Sequence, residues 1–162
     1  MIRTNTLVGI ISDTHGLLRN EALVALRGCH VIVQAGDIGT PEVLEGLCKI
    51  APVVAIRGNN DKGAWASALS ETEVVEANGV YLYVLHNVND LDLDPAAAGF
   101  QAVISGHSHC PRIEDRKGVL FVNPGSAGPH RFQLPVAVAR LRVAGAKKVE
   151  AEVVELKSQG AS

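Results

Sequence analysis

The sequence predicts an α/β protein in which two mixed β-sheets pack face to face with helices outside, a four-layer αββα sandwich. Three observations carry this prediction. The first 56 residues alternate short apolar runs with segments of helical spacing, the signature of parallel strands joined by right-handed crossovers. The rest of the chain is dominated by pairs of strand-like runs around tight, glycine-containing turns, the signature of antiparallel hairpins. Hydrophobic residues make up 47% of the chain but aromatics only 4%, so Val, Ala, Ile and Leu must fill the core, as suits sheet packing.

Each element has its own local reason. "LVGIIS" (7–12), "HVIVQAG" (30–36) and "PVVAI" (52–56) are short apolar runs of buried-strand type. Between them, "RNEALVALRG" (19–28) has apolar residues at helical spacing and a closing glycine. "TPEVLEGLCKI" (40–50) opens with Thr40 and Pro41, a cap and first-turn pair. "TEVVEANGVYLYVLH" (72–86) holds Asn78-Gly79 between two strand-like runs, a strong hairpin signal. "DPAAAGF" (94–100) reads as a short helix and "QAVIS" (101–105) as a strand. Residues 112–123 read as a hairpin turning near Lys117-Gly118, and residues 134–156 as another turning around Gly145. One domain over 1–157 and a polar, flexible tail over 158–162 complete the expected organisation.

Composition narrows the function classes. A formal net charge of −2 over 162 residues gives no general attraction to nucleic acid or to an anionic membrane. No uninterrupted apolar run reaches the length of a transmembrane helix, and no signal peptide is recognised at the N-terminus. Cys29, Cys48 and Cys110 are odd in number and show no CxxC spacing, which fits a reducing cytoplasm better than a disulfide framework. Cys29 and Cys48 are expected as small core-filling residues, and packing is also the simpler role for Cys110.

The chemistry gathers at the ends of the apolar runs. They lead, in order, into Asp13-Thr-His15, Gly36-Asp37, Gly58-Asn59-Asn60-Asp61, His86-Asn87, Gly106-His107-Ser-His109 and Asn123-Pro-Gly-Ser126. Ligands of open α/β sheets bind outside the carboxyl ends of strands, so these ends are expected to line one crevice. Each motif alone has a plainer explanation: Asp-x-His is more often a capped turn, Gly-Asp a simple turn, and a lone strand-end histidine a hydrogen-bonded structural one. The set is harder to explain that way, because four of the six histidines fall within it. His30 and His130 stand outside as structural residues, although His130 is near the Asn123–Ser126 loop. Carboxylate and imidazole donors without thiolates suit Mn²⁺, Fe, Zn²⁺, Co²⁺ or Ni²⁺. Asp13, His15, Asp37, Asn59, His86, His107 and His109 are too many for one tetrahedral ion but enough for two if one carboxylate bridges. Two ions roughly 3.5–4 Å apart clamp an in-line phosphoryl displacement.

The ordered set Asp-x-His, Gly-Asp, Gly-Asn-x-Asp, His, Gly-His-x-His resembles the calcineurin-like metallophosphoesterase superfamily, in particular its small single-domain bacterial and archaeal phosphodiesterases. The resemblance runs from about Leu7 to Ser126. It implies that Asp13, His15 and His109 hold one metal, that Asn59, His86 and His107 hold the other, and that Asp37 bridges them. Mn²⁺ is the first choice of ion, and a hydroxide bridging the metals would attack phosphorus. Asn60 departs from the pattern, since many members have histidine there as a phosphoryl contact or general acid. An amide donates hydrogen bonds but is no acid near neutral pH. Asn60 and Asp61 are the catalytic-loop candidates, Asp61 as the residue that orients the loop. Asn60, Asn123, Ser126 and Arg131 are the substrate-binding candidates.

The expected activity is therefore a metal-dependent phosphodiesterase acting on a small phosphate ester, with self-association left open. Two alternatives stand beside it. The resemblance also reaches a retromer subunit of this fold that works mainly by binding partners and has a degraded metal site; the full set of seven ligand candidates here argues for an enzyme. A phosphomonoesterase is disfavoured by Asn60, because a poor leaving group needs protonation more.

Overall fold

A computed structural model describes residues 5–131, 133–145 and 147–157. Two five-stranded sheets pack through a common core. In the first, β1 (Thr6–Ile11), β2 (Val31–Gln34) and β3 (Val53–Ala55) are parallel, and β9 (Ala137–Ala144) and β10 (Lys148–Glu155) extend the β1 edge antiparallel, giving the order β10-β9-β1-β2-β3. In the second, β5 (Val80–Leu85), β6 (Ala102–Ile104) and β8 (Val119–Asn123) are parallel. Here β4 (Thr72–Ala77) and β7 (Arg112–Arg116) form antiparallel edges, in the order β4-β5-β6-β8-β7.

Strand alternation divides the apolar residues between layers. Val8, Ile10, Val33, Ala139 and Leu141 of the first sheet meet Val80, Leu82, Val84, Ala102, Ile104 and Val122 of the second, all essentially sealed from solvent. The opposite face of the first sheet sends Ile11, Ile32 and Val138 against α1 (Asn20–Ala25) and α2 (Pro41–Cys48) through Ala22, Leu26, Val43 and Leu47. The outer face of the second sheet has a thinner cover. Leu85, Val103 and Val119 lie beneath Tyr83, Leu91 and Phe121, and Phe100, just after the one-turn helix α4 (Pro95–Ala98), packs its ring 5.1 Å from that of Tyr83.

The turns follow their local chemistry. Asn78 and Gly79 both have positive φ, 51° and 81°, as do Lys117 and Gly118 at 53° and 84°, the backbone that two-residue hairpins require. Several expectations need correction. Thr40 occupies the N-cap of α2 with Pro41 behind it, but its side chain makes no capping hydrogen bond. Cys48 is exposed rather than core-filling, because Val43 and Leu47 carry the buried stripe of α2 and its last residue turns outward. Cys110 is exposed as well. A short helix, α3 (Ala64–Ser67), and a 3₁₀ turn (Val88–Asp90) occupy stretches where the sequence suggested neither. The expected tail over 158–162 lies outside the described residues. No helix among those described is long and apolar enough to cross a membrane.

Candidate metal centre

The three parallel strands of each sheet end at one rim, and the motif residues leave from those ends. Backbone hydrogen bonds tie the loops together: Asp13 N–H to Gly36 O at 3.0 Å, His15 N–H to Asp37 O at 3.0 Å, and Gly106 N–H to His86 O at 2.9 Å. The two sheets are joined at the rim by Asp13, whose Oδ2 accepts from His107 N–H at 3.0 Å and from the Ser12 hydroxyl at 2.7 Å.

Five of these residues have left-handed backbone: Asp13, His15, Asp37, His107 and His109, with φ between 47° and 72°. Such conformations cost about 1 kcal/mol or more each and concentrate where surrounding structure demands a particular side-chain direction. Close packing explains two of the motif glycines. A Cβ on Gly58 would strike the backbone N and Oδ1 of Asp37, and one on Gly106 would strike the Ser12 hydroxyl and come within 2.7 Å of Asp13 Oδ2.

The side chains converge. Asp13, His15 and His109 bring one donor atom each within 4.8 Å of one another, and so do Asp13, Asp37 and His86. His109 Nε2 lies 3.3 Å from Asp13 Oδ1. His86 Nε2 lies 3.2 Å from Asp37 Oδ2, and His15 Nε2 lies 3.9 Å from both Asp13 Oδ1 and Asp37 Oδ2. Asp13 Oδ1 is thus shared by both groups, while Asp37 Oδ2 faces one histidine of each. Of the four buried side-chain atoms without a hydrogen-bond partner among the described residues, three are here: Asp13 Oδ1, His15 Nε2 and His86 Nε2. Buried polar atoms are seldom left unpaired.

His86 is the most telling. Its Nδ1 is 2.7 Å from the Ala35 carbonyl oxygen, which only accepts, so Nδ1 carries the ring's proton. In the neutral ring Nε2 then turns a lone pair toward a carboxylate oxygen, an arrangement that a cation must bridge. Burial pushes the His86 pKa down, but the Asp37 contact, the Ala35 carbonyl and the Asp13 charge more than offset this and leave it raised. Burial pushes Asp37 up, and hydrogen bonds with His86 and Asn60 outweigh it and hold the carboxyl well below the usual range. His109 is lowered, by burial first, with Asp13 opposing and the positive charge of Arg131 adding to the effect.

The remaining candidates take distinct places. Asn59 and His107 are exposed and line one cavity with His86, and the His107 ring stands edge-on 5.2 Å from that of His86. Asn60 is exposed and holds Asp37 with two bonds, N–H to Oδ1 and Nδ2–H to Oδ2, both 3.0 Å. Asp61 is buried and accepts from the N–H groups of Ile38, Gly39 and Gly58. Asn123 donates to Gly106 O and Ser108 Oγ and accepts from Gly125 N–H; the Ser126 hydroxyl donates to Asp13 O. The polar groups of Asn123 and Ser126 are therefore engaged in shaping the metal loops. Arg131 is exposed on the His109 side, and His130 is exposed too. His30 is remote from the rim, its Nδ1 accepting from Leu7 N–H. Sequence reasoning missed Ser12, whose hydroxyl fixes Asp13; an unremarkable serine at a strand end carries no signal of that role.

The comparisons with known proteins agree with this geometry. Residues 7–146 match the family profile described as the calcineurin-like phosphoesterase superfamily domain. The chain belongs to that superfamily. It is 31% identical to a probable metallophosphoesterase of Methanocaldococcus jannaschii over 163 residues, covering 93% of this chain and 81% of the relative. A structure described as a novel archaeal phosphodiesterase superposes with a TM-score of 0.75 at 22% identity, covering 92% of this chain and all of that one. Vacuolar protein sorting 29 of Cryptosporidium parvum superposes equally well, with a TM-score of 0.75 at 18% identity, covering 95% and 99% of the two chains. At those identities the two structures speak for the shared fold alone.

Proposed function

We propose that this metallophosphoesterase-family chain is a two-metal phosphodiesterase of the cytoplasm, with Mn²⁺ the preferred ion. The observation that carries the proposal is the His86 Nε2 lone pair facing Asp37 Oδ2, with Asp13 Oδ1 and His15 Nε2 unpartnered beside it. An all-oxygen and imidazole donor set fits Mn²⁺ and its neighbours. Asp13, His15 and His109 would hold one ion, and Asn59, His86 and His107 the other. Asp37 would bridge, since its Oδ2 faces His15 and His86 alike. When bound, the ions supply an activated water and neutralise the charge of the phosphoryl group.

The chain's own residues account for the rest. The Ala35 carbonyl fixes the His86 tautomer, and Asn60 keeps the Asp37 carboxylate from rotating through its two hydrogen bonds. Asn60 has no proton to give to a departing alkoxide, which favours diesters with stable leaving groups over simple monoesters. The phosphodiesterase description of the archaeal structure supports the same choice. Three free cysteines support the cytoplasmic assignment.

The likeness to vacuolar protein sorting 29 favours a second reading, a metal-binding or degenerate scaffold that acts through protein partners. Metal counting by native mass spectrometry, with turnover of aryl diesters and monoesters under Mn²⁺, separates the two. The enzyme reading expects two ions, diester turnover, and loss of turnover with less than one bound ion in Asp37→Ala. It also expects chelation to lower the melting temperature and Mn²⁺ to restore it, by about 2.7 kcal/mol of stability at a hundredfold excess over Kd. Two ions and full activity in Asp37→Ala would overturn the bridging role; no turnover and a melting curve indifferent to metal would leave the scaffold.

A further inference from the structure

A cavity of about 660 Å³ adjoins the candidate metal centre, with Asn59, His86 and His107 in its lining. The rest of its lining comes from elements outside the family motifs: Arg57 before the Gly58 loop, Glu71 before β4, Tyr83 on β5, and Asp90 and Asp92 around the 3₁₀ turn. Their charges do not cancel. Arg57 is committed to Glu71, with Nη2 to Oε1 at 3.1 Å. Asp90 and Asp92 are exposed and form no ion pair among the described residues. The cavity therefore presents two uncompensated carboxylates in a lining it shares with His86, whose buried Nε2 is itself unpartnered. A second cavity, of about 360 Å³, lies across His107 and Asn87 and is lined by Arg112, Arg116 and Phe121. Arg112 and Arg116 share the single carboxylate of Glu114, at 2.9 and 3.1 Å, and Arg116 stacks over Phe121 at 4.5 Å. The spaces on the two sides of His107 thus carry opposite residual charge.

Resting on the phosphodiesterase reading, we propose that Asp90 and Asp92 are specificity residues that select diesters whose retained alcohol is cationic or neutral and reject those carrying a second anion there. A cationic alcohol gains from the two carboxylates, while an added carboxylate or phosphate on that arm meets them without a counter-charge. The departing arm, which becomes negative, is accommodated on the Arg112 and Arg116 side. Exposed charges act at moderate strength and are screened by salt, so selection is expected to be roughly three- to tenfold at low ionic strength.

The test uses the Mn²⁺-loaded full chain and three p-nitrophenyl phosphodiesters with one leaving group and different retained alcohols: choline, its uncharged isostere 3,3-dimethylbutanol, and 3-hydroxypropionate. At low salt kcat/KM is expected to rank choline above the neutral ester above the carboxylate ester, with the spread mainly in KM and compressed by 0.5 M NaCl, a concentration chosen to shorten the Debye length to about 4 Å. The double variant Asp90→Asn, Asp92→Asn is expected to turn over the neutral ester like wild type and to lose the ranking. Turnover of all three esters without that order, or an order that survives in the double variant, overturns the assignment of Asp90 and Asp92 and leaves the diesterase reading standing. No turnover of any ester by a chain shown to hold two ions overturns both.

Discussion

Replacing Asp61 tests how far the metal centre depends on a carboxylate that ties two loops together. Asp61 is 5% exposed, and its oxygens accept three backbone N–H groups: Ile38 at 3.2 Å, Gly39 at 3.0 Å and Gly58 at 2.9 Å. The first two flank Asp37 on its C-terminal side, and the third opens the loop that carries Asn59. Asp61→Ala strands all three donors. A buried donor left unpaired costs about 1–3 kcal/mol. Two of these bonds are buried and the Gly39 bond is partly so, and water can enter the vacated space, so the expected loss is about 3 kcal/mol. Asp61→Asn keeps one acceptor oxygen and turns an NH₂ toward an N–H donor, for a loss of about 2 kcal/mol. Urea denaturation of the chelated protein reads these values without any contribution from metal. Isothermal titration of the folded variants with Mn²⁺ is then expected to show weaker binding, because Asp37 and Asn59 are no longer held in register. A loss below about 1 kcal/mol in Asp61→Ala, with unchanged Mn²⁺ affinity in both variants, would refute the reasoning, since the loops would then be held by something other than Asp61.

The other expectations concern the same rim. Gly106→Ala places a methyl group against the Ser12 hydroxyl and Asp13 Oδ2; it is expected to destabilise the protein by about 2 kcal/mol and to weaken metal binding, which thermal melts with and without Mn²⁺ will show. Asn60→His supplies the missing proton donor, worth up to roughly 10²–10⁴-fold where departure limits the rate. It should raise kcat/KM for alkyl diesters more than for aryl diesters, and equal leaving-group slopes in both proteins would reject an empty acid position. For pH, the folded metal-free chain holds the His86 proton to above the ordinary histidine range, and a metal needs that nitrogen bare. Adding Mn²⁺ in weak buffer should therefore release protons, the release fading as pH rises through the raised value. His86→Phe should lose that component.

Much of this protein is legible along the chain because it is decided locally. Asn78-Gly79 and Lys117-Gly118 turn where they do because positive φ is required of neighbouring residues, and the apolar runs of β1, β2 and β6 are strands because both faces of a central strand are buried. The ordered polar residues after those runs name the family for the same reason: a parallel strand ends at the ligand edge, so its next residues are the site. What the chain could not reveal is pairwise and distant. Asp13 meets His107 across 94 residues, and His86 is oriented by the Ala35 carbonyl 51 residues away. Backbone amides from three loop positions consume both oxygens of Asp61. The four-residue α3 is too short to show a period, and Cys48 is as apolar in sequence as the buried residues around it. Whether a polar atom faces a partner or is left bare for a cation depends on which loops two closed sheets bring to one rim; only the tertiary structure shows that Asn123 and Ser126 are spent on neighbouring loop groups while Asp13 Oδ1, His15 Nε2 and His86 Nε2 are left without a hydrogen-bond partner.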